Sequence, residues 1–322
     1  MKKQQATYHR YRHSLLPVLC LLLLPLITSA AGVPEWTDHN DKPYLVKEFT
    51  VDGAGILKTY TLAGNIEVQS VSNTNSVRVE LYVERGYAIW SESRNLDNYR
   101  INILQRGNEI IASVEEKKRS TGLFSDRVNF NFRIYLPERM STELKTMGGN
   151  IRLSNVRGDQ MVKTSGGNIE LNNLTGKVGA YTSGGNIRIE RSIGTLFAQS
   201  DGGNINIDHS EGEMRVRTAG GDITTQHTRG TFIARADGGN IKGHFTEVGQ
   251  GISMETGVGN IVVELPGEAG YDITASGSDI NFRPTGNFSG TLNARNVEGS
   301  LNSGGISVVL RTSSGTVTIK TN

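Results

Sequence analysis

Cysteine is almost absent: Cys20 is the single one in 322 residues, and it lies inside an apolar stretch near the start. A chain from which that stretch is removed has no disulfide, no thiol nucleophile and no cysteine metal site, even in an oxidising compartment. Charge of either sign is not in excess, with 34 Lys and Arg against 32 Asp and Glu. No helical periodicity is found, and no apolar run reaches the ~20 residues needed to span a membrane. A Ser-His-Asp arrangement, a phosphate loop and a dinucleotide fingerprint are also missing. The many Gly-Gly pairs are followed by strand-like sequence, with no helix to cradle phosphate. Glycine is what the chain has in plenty: 39 residues, or one in about eight, against a usual share of roughly 7%. Interior glycine costs a helix about 1 kcal/mol each, which excludes a mainly helical protein. Collagen is excluded because the glycines come in pairs and never at every third position. At 36% hydrophobic residues the chain is too apolar to be disordered throughout, and it reads as a turn-rich all-β protein.

Residues 1–31 read as a secretory signal peptide. Lys2, Lys3, Arg10 and Arg12 make a basic start, Leu15 to Ile27 is an apolar run of 13, and Thr28-Ser29-Ala30-Ala31 supplies small residues for cleavage. Leu19 before Cys20 is not the small residue that lipidation needs. Removing four cations and no acid turns the net charge from +2 to −2. Nucleic acid then has no electrostatic motive as a partner, and no membrane span remains. The expected destination is outside the cytoplasm: periplasm, outer surface or medium. Residues 32–44 read as a linker.

The dominant feature is a repeat. Gly148-Gly149-Asn150-Ile151 recurs at Gly166, Gly184, Gly202, Gly220 (with Asp222 for Asn) and Gly238, at a constant period of eighteen. The spacing loosens to 20 at Gly259-Asn260-Ile261 and 19 at Ser278-Asp279-Ile280, and Gly304-Gly305-Ile306 is a worn copy. Gly64-Asn65-Ile66 is an early outlier. Within a unit, Ile187 and Ile189 alternate with Arg188 and Glu190, and Leu196, Ala198 and Ser200 alternate with Phe197 and Gln199, which marks two short strands. Down the copies the inward columns remain apolar or small: Ile151 through Ile241 on the first strand, Val162 through Ala234 and Thr164 through Ala236 on the second. A second glycine column, Gly158, Gly176, Gly194, Gly212 and Gly230, marks the other turn, where glycine accepts positive φ at little cost.

Two turns and two strands in each repeat unit describe one coil of a right-handed parallel β-solenoid, or β-helix. A propeller blade needs about 40 to 50 residues, and a sandwich would not hold its loops in register over five repeats. One coil cannot bury its own apolar face, but stacked neighbours bury a continuous column. Residues 138–322 form this repeat solenoid. Residues 45–137 read as an irregular N-terminal β region continuous with it, with strands at Val46–Val51, Ile56–Thr61, Val77–Val83, Ile101–Leu104, Ile110–Val114 and Val128–Leu136, and with loops at Tyr87–Asn98 and Glu115–Asp126.

Four sets of residues are candidates for function. Asn150, Asn168, Asn186, Asn204, Asp222, Asn240 and Asn260 form a column that reads as a structural ladder: Asn tolerates left-handed turn geometry, and its amide can bond to the copies on either side. Calcium is the rival reading, but a calcium roll needs regularly placed Asp. The outward acids Glu170, Glu190, Asp208, Glu211 and Glu213 are scattered among Arg and Lys and form no same-face pair for catalysis. His209 and His227, one period apart, are expected to stack about 5 Å from each other. With Asp208 as a third ligand they could bind zinc; otherwise they are solvent-facing turn residues. Lys163, Tyr181, Gln199, Arg217 and Arg235 are an outward column suited to a polymer with a matching repeat, and ordinary solvent exposure is the alternative. No cofactor and no catalytic residue is expected.

Arg133-Ile-Tyr-Leu-Pro137, Leu144-Lys-Thr-Met-Gly-Gly-Asn-Ile151 and the following Thr-Ser-Gly-Gly-Asn-Ile units resemble the bacterial "putative adhesin" family of β-strand-repeat proteins, a domain of unknown function. The resemblance covers about residues 45–322. It implies a secreted or envelope-associated β-solenoid with adhesin-like binding to a surface glycan or an envelope protein, and no established active site. Two alternatives stand beside it: a carbohydrate-active β-helix lyase or hydrolase, and a structural or stress-response envelope component that binds another protein through the terminal coil at Val317 to Ile319.

Overall fold

The computed structural model describes residues 42–85, 96–117 and 128–322. The segment read as a signal peptide, residues 32–41 of the linker, and parts of the loops read at Tyr87–Asn98 and Glu115–Asp126 lie outside the described residues. Every regular element described is a β-strand, and all belong to one hydrogen-bonded sheet system that winds through two faces. The strands that open at Ile151, Ile169, Ile187 and Ile205 stack parallel in unshifted register, Ile on Ile; they define the isoleucine face. Met140–Thr146, Gln160–Thr164, Thr175–Thr182, Ile193–Ser200 and Glu211–Thr218 stack parallel on the other side. This is the threonine face, because each strand ends inward on Thr146, Thr164, Thr182, Ser200 or Thr218, all buried.

The interior is as narrow as the small inward residues require. Ile187, Ile189 and Ala180 are fully buried, and Leu196 and Ala198 nearly so. Each fully buried aliphatic side chain contributes about 1.5–3 kcal/mol, but only because the next coil covers it. The threonine hydroxyls fasten the corner where the chain turns to the isoleucine face. Thr182 Oγ1 donates to Gly167 O of the preceding coil at 2.9 Å and accepts from Gly185 N at 3.1 Å. Thr164, Ser200 and Thr218 repeat the pattern. The second glycine column sits at the opposite corner, with φ from +116° at Gly230 to +139° at Gly158.

Both ends depart from a simple solenoid, and the departure corrects an expectation of purely parallel coils in chain order. At the N-terminal end Gly55–Thr61 lies between Glu109–Glu116 and Met140–Thr146, and Ile66–Val71 lies between Val128–Pro137 and Ile151–Ser154. The coil made first is therefore second in space. The six strands expected before Pro137 all occur, but three flank the stack antiparallel: Tyr99–Arg106 against Glu109–Glu116, Ser76–Arg85 against Val128–Pro137, and Leu45–Thr50 against Ser76–Arg85.

The C-terminal end does the same. Ile306–Ser314 pairs with Gly251–Val258 on one side and Tyr271–Ser276 on the other, and Thr316–Thr321 lies between Ile261–Leu265 and Asp279–Phe282. The last coil of the chain is the penultimate coil of the stack. Val317 to Ile319 is thus interior, with Val317 fully buried and Ile319 nearly so, and it is not the terminal coil expected to offer a free edge to a protein partner. Asn296–Leu301 and Phe288–Leu292 continue the threonine face antiparallel. From Glu109–Glu116 to Tyr271–Ser276 the parallel strands of that face number eleven, a stack of roughly 48 Å at about 4.8 Å per step. Residues 41–322 make one compact unit.

One interior hydroxyl breaks the pattern of satisfied threonines. Thr59 is buried, and its Oγ1 has no hydrogen-bond partner. A buried unpaired hydroxyl costs about 1–3 kcal/mol. Thr59→Val, of nearly the same shape, is expected to raise stability by about 1 kcal/mol, read as a higher urea midpoint with unchanged slope; an unchanged or lower midpoint would contradict this.

Candidate functional site

The asparagine column runs along the corner that enters the isoleucine face. Its side-chain oxygens accept the backbone N–H one coil on: Asn150 Oδ1 from Asn168 N, Asn168 from Asn186, Asn186 from Asn204 and Asn204 from Asp222, all at 2.8 Å. Asp222 Oδ1 accepts from Asn240 N at 2.7 Å, and Asn240 Oδ1 from Asn260 N at 2.9 Å. The row continues through the displaced coils, with Asn131 Oδ1 accepting from Asn65 N and Asn65 Oδ1 from Asn150 N. Beyond Asn260 the next donor is Thr316 N, not Asp279 as chain order had suggested. These oxygens are thus taken up by N–H donors, which leaves little for a calcium ion. None of the column is left-handed. Five left-handed side-chain positions form another column, Asn155, Asn173, Arg191, His209 and His227, with φ between +48° and +61°; Asn73 and Asn302 lie outside it.

That second column carries the histidines. His209 and His227 stack with ring centroids 4.5 Å apart and planes 24° from parallel, and His244 meets His227 edge-on at 5.2 Å. Both Nδ1 atoms converge on one oxygen: Asp208 Oδ1 lies 2.9 Å from His209 Nδ1 and 3.1 Å from His227 Nδ1. Partial burial pushes the Asp208 carboxyl up, but the hydrogen bonds from His227 and His209 outweigh it and hold the group below its ordinary value. Asp208 also has an acid beside it. The register sets it directly opposite Glu190 of the preceding coil, which corrects the expectation that no outward acids pair across neighbouring coils. Glu190 is taken up by Arg188 at 2.5 Å and Arg191 at 3.6 Å. The two carboxylates are therefore each held by their own partners, Glu190 by arginines and Asp208 by the two imidazoles, rather than poised over a common substrate.

On the threonine face, the register places Lys163, Tyr181, Gln199, Arg217 and Arg235 in one straight outward row, one residue per coil. Further coils lengthen it: Tyr60 and Lys145 precede Lys163, and Glu255 and Arg311 follow Arg235. Lys145 lies one regular period before Lys163, but chain spacing alone does not reveal the others, because Tyr60 and Arg311 come from coils out of sequence and Glu255 from one out of the regular period. Gly179 lies between Tyr181 and Met161, and a Cβ there would come within 3.1 Å of the Tyr181 ring and 3.2 Å of Met161 Sδ. The absence of a side chain at Gly179 leaves room for both. At the other end, Arg217 and Arg235 lie 3.5 and 3.8 Å from Asp237, and Arg235 and Arg311 lie 3.7 and 3.3 Å from Glu255. There Arg235, Asp237, Glu255, Ser276, Arg311 and Thr312 line an open polar cleft of about 500 Å³.

The sequence pattern of the Toastrack DUF4097 family matches residues 65–320, about four-fifths of the chain. The chain belongs to that family. Toastrack DUF4097 is a domain of unknown function, as the resemblance to β-strand-repeat proteins implied. Three solved structures are similar. A "putative cell adhesion protein" from Clostridium sporogenes is 13% identical over 87% of this chain and all of its own, with a TM-score of 0.21. A "putative adhesin" from Bacteroides fragilis is 14% identical over 86% of this chain and 96% of its own, at 0.35. A "putative adhesin" from Parabacteroides distasonis is 12% identical over 85% and 96%, at 0.29. No curated protein matches the chain. Among the described residues of this Toastrack protein, no helix is long and apolar enough to cross a membrane.

Proposed function

We propose that this Toastrack chain is an exported, non-catalytic, adhesin-like binding protein of the bacterial cell envelope, and that it grips a polymer along the threonine face. The coils would wind right-handed, the hand that parallel strand crossovers adopt almost without exception. Export rests on the basic start and the apolar run Leu15 to Ile27. The observation that carries the binding reading is the straight row from Tyr60 to Arg311, which ends at the polar cleft. A parallel stack repeats one side-chain position every ~4.8 Å, so a polymer with a matching repeat meets an outward side chain at each step. Each contact is weak, but held at one spacing the contacts add by raising effective concentration. Tyr181 beside Gly179 offers a broad apolar surface for a sugar ring, and Lys163 and the arginines supply hydrogen-bond donors.

A glycan array probed with the full chain is expected to give binding without product release. Tyr181→Ala should weaken that binding roughly tenfold, since buried aromatic anchors dominate interface energetics. Release of reducing ends or unsaturated products would instead support the carbohydrate-active enzyme. Retention of envelope proteins with no glycan binding would support the protein-binding component.

A further inference from the structure

We infer that Asp208, His209 and His227 form a surface site for a zinc-class divalent cation, which would tie the coil beginning at Ile205 to the coil beginning at Ile223. The site lies at the corner leaving the isoleucine face, away from the polymer-binding row, and does not depend on it.

The three candidate ligand atoms all lie within 4.8 Å of one another. Two of the separations, 2.9 and 3.1 Å, are measured from the same carboxylate oxygen. A tetrahedral zinc with bonds of about 2.0–2.1 Å sets its ligand atoms about 3.3–3.4 Å apart, so the carboxylate and either imidazole need to part by only a few tenths of an ångström. Two imidazoles and a carboxylate are the donor types that zinc accepts with a fourth position left open. Here that position faces solvent, because both histidines are exposed, and water or a group on a partner can fill it.

The backbone favours the convergence. His209 and His227 have φ of +48° and +49°, a region uncommon for residues other than glycine, and both direct Nδ1 towards Asp208. The neighbouring charges do not oppose a cation. Arg191, one coil before His209 in the same column, is held by Glu190 at 3.6 Å and by Asn172 Oδ1 at 3.1 Å. Arg229, two residues after His227, is paired with Glu247 at 3.8 Å.

The same column supplies a conservative test. Asn occupies the left-handed position at Asn155 and Asn173, so His209→Asn and His227→Asn keep a residue that this corner accepts. The full chain, stripped with chelator and titrated with zinc chloride by calorimetry, is expected to bind one ion saturably and to show a Tm that rises with zinc, because a ligand of the native state alone must stabilise it. The double variant should lose saturable binding and the zinc-dependent rise in Tm while melting near the wild type without metal. Asp208→Asn should weaken binding at least tenfold, and this variant serves if the double one does not fold. Absence of saturable binding in the wild type, or equal binding in wild type and variants, would overturn the site.

Discussion

Gly185→Ala is expected to destabilise the protein by about 3 kcal/mol or more, whereas Gly184→Ala, one residue earlier, should leave it folded and slightly more stable. The two glycines of each pair serve different purposes. A Cβ on Gly185 would lie 1.9 Å from Gly167 O and 2.4 Å from Gly167 C. These are backbone atoms of the neighbouring coil and cannot swing aside as a side chain can. Gly167 O also accepts the Thr182 hydroxyl, so moving it away breaks the corner that the threonine fastens. The clash repeats at Gly149, Gly167, Gly203 and Gly221, each with a contact of 2.2 Å or less to a backbone oxygen. Overpacking alone costs about 1–3 kcal/mol; here it also prises apart two coils and their ladder bonds. Gly184 has no atom closer than 3.8 Å to its Cβ position, and its φ is not in the left-handed region. Alanine there removes unfolded-chain freedom, worth about 0.4–1 kcal/mol of stability. Urea denaturation of the two variants side by side checks the claim. Equal midpoints would show that the coils part more freely than the close backbone approach implies.

A chain ending at Asn302 is expected not to fold cooperatively, although it would lose only the short tail 303–322. In a linear repeat array the terminal unit contacts one neighbour, and its removal costs one interface. Here the final coil lies between two others on both faces, from Gly251–Val258 to Tyr271–Ser276 and from Ile261–Leu265 to Asp279–Phe282. Its removal uncovers two surfaces and empties the places of Val308, Leu310, Val317 and Ile319, all buried. At about 1.5–3 kcal/mol for each buried aliphatic side chain, the loss is roughly 6–12 kcal/mol, as large as the whole stability of an ordinary domain. The truncated chain should show a broad, non-cooperative melt and dye-binding apolar surface. A sharp transition within a few degrees of the full chain would mean that the preceding coils close over the gap.

Much of the central stack was legible in the residues themselves. The regular spacing of Gly-Gly-Asn-Ile, the alternation of Ile187 and Ile189 with Arg188 and Glu190, and the small inward column ending at Thr164, Thr182 and Ser200 each reflect a local constraint: a tight corner, a two-sided strand, a thin interior. The stacking of His209 on His227 followed from the same period. Other features were hidden because they depend on what faces them. The second glycine of each pair looks like a turn residue in sequence, yet at Gly185 the constraint is the neighbouring coil's carbonyl and not its own φ. Residue type points to left-handed geometry in the Asn150-to-Asn260 column, whereas in the stack it falls at Asn155, Asn173, Arg191, His209 and His227. The opposed pair Glu190 and Asp208, also one period apart, is legible from the same spacing as the histidines.

The order of the coils at the two ends belongs to the packed molecule. Any strand of a parallel stack offers the same row of N–H and C=O groups to an incoming partner, and the repeat motif says that a coil will stack without saying upon which neighbour. Gly55–Thr61 beside Met140–Thr146, and Thr316–Thr321 beside Ile261–Leu265, are pairings between segments several coils apart in the chain. They are selected by how well inward side chains such as Leu57 and Val317 fill the space left by the regular coils, a property of the assembled interior. The coil, its inward and outward residues and its step are thus written in the repeat, because all of them arise within a single unit. Which coil lies against which, and so how far the outward row extends and where it meets the polar cleft, is settled only when the distant ends pack, because the fit of one interior against another has no counterpart in any one unit.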